Sequence, residues 1–246
     1  MSACTARQDS QICSSKVNKH GYIHRISWKY SLQATQRRCI DIEYHCWATA
    51  SGSRTVPISK SAAAQRHNDM NPDNILHFWF TELSDKQHFA KDAALDALIA
   101  QRFGAVLEAA SRCELFGWRG SAEGRLAEII VLDQFSRNVW RDHLVHGPRA
   151  FAQDALALAL AQELVARGDD VQLPLSQRRF AYMAYMHSES LLVHEEALRL
   201  FAAPGLEGNL DFERRHLAIL QRFGRYPHRN AILGRVSTPE ELAFLQ

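Results

Sequence analysis

Between residues 91 and 113 the apolar residues Leu95, Leu98, Ile99, Phe103, Val106, Leu107 and Ala110 recur at i, i+3, i+4 spacing. On a backbone turning every 3.6 residues this spacing gathers them on one face of a helix, and no strand can do the same. Glycine and proline divide the rest of the chain after residue 70 into blocks of similar character. The first predicted helix covers residues 72–81, with Pro72 suited to a first turn and Asp73 to the positive end of the helix dipole. The others cover 91–113, 122–140, 148–168, 176–186, 190–202 and 211–223, and an eighth opens at Thr238. Ser176 is the expected N-cap of the fifth, Gly224 the stop of the seventh, and Thr238-Pro239-Glu240-Glu241 the entry to the last. No strand pattern breaks this series. The expected fold is therefore all-α, with about eight helices packed as antiparallel pairs and no sheet. No sequence repeat of fixed period is present.

Composition separates a front segment from this body. Residues 1–69 carry ten Lys and Arg against four Asp and Glu; residues 70–246 carry nineteen against twenty-three. A mildly acidic body offers no bulk charge to nucleic acid or to a membrane, so neither is an expected partner. No stretch approaches the roughly 18 apolar residues of a membrane span. Cys4, Cys13, Cys39 and Cys46 lie in front, at spacings that match no zinc pattern, and Cys113 alone lies in the body, where a buried, inert thiol is expected. That distribution suits a reduced, cytoplasmic protein. Residues 1–69 show no sustained periodicity beyond the alternation of Ile40, Ile42 and Tyr44. They are expected to be a disordered extension, or upstream sequence read from a misassigned start, with a single helical domain over 70–246.

Ionisable residues interrupt the apolar stripes. In the third helix Leu126, Ile129 and Ile130 lead to Asp133, with Arg137 four residues on and Gln134 and Asn138 beside them. An Asp and an Arg at that spacing can pair, and a buried carboxylate demands such a partner. In the fifth, Phe180, Met183 and Ala184 lead to His187, followed by Ser188 and Glu189; His194 comes seven residues later. His216 shares a face with Phe212, Ile219, Leu220 and Phe223, and His77 lies between Leu76 and Phe78. Residues 222–230, RFGRYPHRN, place Arg222, Arg225, His228 and Arg229 at a helix end and the turn after it, where forked guanidinium donors suit a carboxylate or phosphate. The plain structural alternatives are a buried ion pair, satisfied core histidines and arginines that cap helix ends. Seventeen Arg against two Lys in the body also point to coding bias for arginine in general.

Six stretches carry a family resemblance: residues 77–80 (HFWF), Phe103-Gly104, 131–138 (VLDQFSRN), 186–190 (MHSES), 209–216 (NLDFERRH) and 222–230. Together they make the chain resemble the bacterial helical family catalogued as domain of unknown function 924, over about residues 71–246. The resemblance implies a tetratricopeptide-like, right-handed helical array. It implies no activity and carries over no catalytic residue. Two departures stand out: the family usually has proline where this chain has Ser136, so the helix here is expected to continue further; and it usually ends in a short Pro-Gly-Ser tail, so the chain is expected to be truncated.

The leading expectation is a module that binds an anionic small molecule or acidic peptide through Gln134, Arg137, Asn138, Arg222, Arg225, His228 and Arg229. The alternative is a small-molecule hydrolase or other acid–base enzyme using Asp133, His187, Glu189 and His216. A structural protein without a ligand is the third. His187, Glu189 and His216 are also acceptable metal-ligand types, but His-x-Glu is not a helix-face pair, so neither metal nor cofactor is expected. The oligomeric state is left open. Residues 70–246 alone are expected to stay folded and soluble, as read by circular dichroism and sedimentation. Aggregation of that fragment beside a soluble full chain would place the front segment in the core.

Overall fold

The computed structural model describes residues 71–246 apart from Leu144, together with the backbone of two short strands nearer the start. The chain divides into two compact units, Met1–Thr55 and Val56–Gln246. In the first, β1 (Ile12–Val17) pairs antiparallel with β2 (Ile23–Lys29), with a register shift between Lys16 and Val17. Sequence patterning does not anticipate this pair. The alternation at Ile40, Ile42 and Tyr44 lies outside the described residues.

The described part of the second unit is all-helical. Helix α1 (Pro72–His77) opens with Asn71 accepting a bond from the Asp73 N–H and runs on into a π-helical turn, Phe78–Glu82. Helix α2 (Asp85–Phe89) follows a reciprocal cap between Ser84 and Gln87, a signal the apolar periodicity misses in so short a helix. Helix α3 (Ala93–Ser111) is capped by Asp92. Helix α4 (Ala122–Ile130) continues through a second π turn, Val131–Phe135, into α5 (Ser136–Val139). Then come α6 (Asp154–Ala166), α7 (Leu175–Met186), α8 (Leu191–Phe201), α9 (Glu207–Phe223) and α10 (Pro239–Phe244). Gly224 stops α9 in the left-handed conformation, and Thr238 with Glu241 forms the capping box of α10.

Several boundaries move. Pro148 lies in the first turn of a 3-10 element, Gly147–Ala150, and α6 starts only at Asp154. Pro174, not Ser176, is the entry to α7, because its carbonyl already accepts from the Gln177 and Arg178 N–H groups. Helix α9 starts four residues before Asp211. Cys113 is exposed in the turn after α3 rather than buried.

Helix α4 is the centre. It packs on α1, α6 and α7, while its π turn packs on α3; α6, α7, α8 and α9 then pack in succession. Every residue from Leu126 to Ser136 is buried. A helix buried all round must be apolar or paired at each position. Glu128 accordingly takes a forked bond from Arg119 at 2.6 and 2.7 Å, and Arg125 reaches Asp169 and the Arg119 carbonyl. The close approach that this requires excludes a side chain at Gly124, whose added Cβ would stand 2.1 Å from the Trp118 oxygen. Ser136 continues the helix, its hydroxyl donating to the Leu132 and Ala150 carbonyls.

Phe135 closes the π turn and fills the aromatic core, with ring centroids 5.1 Å from Phe103, 5.5 Å from Trp79 and 6.0 Å from Phe78. Replacing Phe135 with alanine is expected to cost about 3–5 kcal/mol in urea unfolding. A loss below about 1 kcal/mol would mean that this ring is not part of a close-packed centre.

Candidate functional site

The π turn builds the site. Asp133 and Gln134 lie next to each other in this turn, and both are buried. Asp133 is 1% exposed. Its carboxylate accepts from Gln134 Nε2 at 2.6 Å, lies 3.1 Å from Arg137 Nη1 and stands 2.8 and 3.0 Å from His187 Nδ1. Arg137 Nη1 also donates to the Asp133 carbonyl.

His187 ends α7, and the loop after α9 holds that end in place. Tyr226 Oη donates to the Met186 carbonyl at 2.6 Å and Arg229 Nη2 to the His187 carbonyl at 3.0 Å. These are carbonyls that a helix C-terminus leaves without partners. Asp154, the first residue of α6, completes the cluster: its Oδ2 accepts from Arg137 Nη2 and Arg229 Nη1, each at 3.1 Å. Phe151 lies under both guanidiniums, at 5.4 and 4.7 Å from its ring centre.

Charge distribution follows from these contacts. Burial alone would raise the Asp133 carboxyl, but the Arg137 charge and the bonds from His187 and Gln134 outweigh it and hold the group ionised. Burial lowers His187 to about 4, helped by the Arg137 and Arg229 charges and opposed by Asp133. Burial and the neighbouring Asp133 push Asp154 up to about 6 against both arginines. At neutral pH the imidazole is therefore neutral beside a carboxylate. The proton is assigned to Nδ1, which must donate to Asp133, and Nε2 carries the lone pair. Nε2 has no protein partner among the described residues, and the His187 side chain is 15% exposed.

Asp133, Gln134, Arg137, His187 and Arg229 thus come together. His216 and His228 stand beside them against Tyr226, at ring distances of 5.7 and 5.5 Å, and neither bonds to Asp133. His216 Nδ1 bonds to the carbonyl of Phe212, one turn back. Glu189 accepts from the Tyr226 N–H and from both Arg235 nitrogens, so it fixes the loop rather than facing His187. Asn138 turns the other way, onto Asp96. Arg222 pairs with Glu240, and Arg225 clamps Glu241 and the Val236 carbonyl. These two arginines hold α10 in place of an anion. His77 is exposed beside Glu82. His187, Glu189 and His216 do not converge as ligands, and no group of three such side chains that could hold a metal occurs among the described residues.

Asp154 and Phe151 escape sequence reasoning. An acid in the first turn of a helix already has an explanation in the dipole, and nothing local marks its meeting with arginines 17 and 75 residues away.

Fold and site define an all-helical body that gathers an Asp, a His, a second Asp and two Arg around its central helix. The chain belongs to the bacterial protein family of unknown function DUF924, whose model matches residues 75–246. It is also similar to a solved protein of unknown function from Agrobacterium tumefaciens, at 37% identity and a TM-score of 0.66, over 71% of this chain and 96% of that one. No curated protein matches the chain. No described helix is long and apolar enough to cross a membrane.

Removing the Asp133 carboxylate leaves Arg137 and the His187 ring without their buried partner. Asp133→Ala is expected to lose about 3–5 kcal/mol in urea unfolding. A transition unchanged from wild type would show that the carboxylate is not needed for the packing of α4 on α7.

Proposed function

We propose that this protein is an acid–base enzyme acting on a small molecule, with His187 Nε2 as the general base and Asp133 as the group that orients it. One observation carries the reading: a ring held through Nδ1 on a buried carboxylate while its other nitrogen has no protein partner among the described residues. His194 supplies the contrast. It is buried, with Nδ1 on Glu213 and Nε2 on the Ser188 carbonyl, so both nitrogens are used and the residue serves the core. A neutral imidazole presenting a lone pair beside an ionised carboxylate is the form a general base requires.

The binding-module alternative depends on unclaimed arginines. Arg222 and Arg225 are taken up by Glu240 and Glu241 of α10, which leaves of these arginines only Arg137 and Arg229, and both are bonded to the residues that hold His187 or to its carbonyl. That favours proton transfer over anion capture as the primary task. A tetratricopeptide-like order of the helices goes with this reading and is supported by the successive packing of α6 to α9. A cytoplasmic setting is supported by the single cysteine in residues 70–246.

The test has two parts. Ring-nitrogen NMR of the full chain is expected to show His187 protonated at Nδ1 alone at pH 7, titrating well below the usual value of about 6.5. Hydrolysis of 4-nitrophenyl acetate is expected to fall on the acid side with the same low midpoint, because protonation removes the base. His187→Gln should lower that rate by roughly 10²–10⁴-fold while the melting transition stays in place. Nε2 protonated at neutral pH, or a His187→Gln rate equal to wild type, would refute the assignment.

A further inference from the structure

The two arginines beside His187 converge in an unusual way. Arg137 comes from α5 and Arg229 from the 3-10 turn Pro227–Arg229, yet both direct a nitrogen at one oxygen, Asp154 Oδ2. Two guanidiniums offer more donors than one tethered carboxylate uses. Among the described residues, neither Arg229 Nε nor the other Asp154 oxygen, Oδ1, has a partner, and both are buried. Asp154 thus fills the arginine pair incompletely. The aromatic support under the pair is by contrast complete: Phe151 lies under both guanidiniums, and Tyr226 lies 4.7 Å from Arg229. Such support fixes the guanidinium planes whether or not the aspartate is present.

We propose that Arg137 and Arg229 form a clamp for a carboxylate of the substrate, and that Asp154 occupies the clamp until the substrate displaces it. This names the substrate class of the site and rests on the general-base reading given above. Charge balance explains why a resident carboxylate is needed. Asp133 offsets one arginine; without Asp154, Arg229 would be a buried cation with no carboxylate bonded to it. The same balance makes Asp154 the group that leaves. Asp133 is held by three side chains from two parts of the chain, whereas Asp154 is held through one oxygen and is the carboxylate that burial pushes up. Its position at the first residue of α6, after a turn with no side-chain cap, lets the side chain move without unwinding the helix interior. The clamp adjoins the base directly: Arg229 bonds the His187 carbonyl and Arg137 bonds Asp133. A carboxylate seated there anchors a substrate beside Nε2.

The full chain and its Asp154→Asn variant are titrated with acetate, with benzoate and with inorganic phosphate, against sodium chloride at equal ionic strength, by calorimetry and thermal shift. The variant keeps the side-chain shape and removes the competing charge. It is expected to bind acetate or benzoate at least tenfold more tightly than wild type, and adding Arg229→Met should abolish the gain. Equal carboxylate affinity in the two proteins, or a chloride effect of the same size, overturns the proposal. Phosphate bound as tightly as carboxylate overturns the assigned class. Should Asp154→Asn fail to fold, the Arg229 Nε–H resonance of the wild-type chain decides: it must move with acetate and stay still with chloride, and no movement counts against the clamp. His187→Gln separates the two readings. If that variant keeps carboxylate binding and loses ester hydrolysis, both stand. If it hydrolyses normally while Asp154→Asn gains carboxylate affinity, the clamp stands and the base falls. If it loses hydrolysis while Asp154→Asn gains nothing, the base stands and the clamp falls.

Discussion

A carboxylate with 1% exposure at the centre of a helical protein is the constraint to which much of the body answers. Leaving Asp133 ionised there without partners would cost more than the marginal stability of an ordinary domain allows. Its compensation comes from Gln134 and Arg137 on its own helix and His187 at the end of α7. Each compensating group then needs support of its own. Arg137 requires Asp154 from α6; Asp154 draws in Arg229 from the loop after α9; and Arg229 ties back to the His187 carbonyl. One buried charge thereby links four separated parts of the chain, in a closed circuit where each member satisfies the next.

Other polar clusters in the same body show what purely structural pairing looks like. Glu128 and Arg119 meet in a forked pair beside α4, and Asp96 gathers Asn138 and Arg141 between α3 and the end of α5. His194 and Glu213 join α8 to α9. Each fastens neighbouring elements and leaves no imidazole nitrogen available. The circuit around Asp133 differs from these in its imidazole: among the described residues His187 Nε2 has no protein partner. A ring nitrogen with no bond of its own, on an imidazole fixed by a buried carboxylate, marks where a ligand's groups have room to act.

How much of this the sequence discloses depends on range. Helices are local, so the 3.6-residue periodicity, Pro72, Gly224 and the Thr238 box place most of them to within a few residues. Short elements with little apolar periodicity, such as α2 and the 3-10 turns, are invisible to that signal, and Pro174 overrides a good cap residue at Ser176. Asp133 and His187 stand out because each breaks an apolar stripe. The arginines of residues 222–230 stand out too, but pattern alone does not separate those that fasten α10 from Arg229, which enters the cluster. Asn138 illustrates the effect of helix phase: five residues from Asp133, it faces α3 instead. The π turn itself, in which Asp133 and Gln134 lie, has no sequence signature.

The site lies on the most buried helix and not in a surface loop, so its polar positions must pair, as Glu128 and Arg125 do in the preceding turns. The π turn places a carboxylate and its amide partner side by side, next to α7, without breaking the hydrogen-bonded backbone. Rigidity follows from Phe135 and the aromatic rings around it, which hold the last residue of the turn. The orienting carboxylate is thus fixed by core packing. His187 and Asp154 stand at the ends of α7 and α6, where movement disturbs little of the core. The proposed base and clamp both depend on helix ends meeting the side of a buried helix. Here the ends of α6 and α7 meet α4 and α5 in that way.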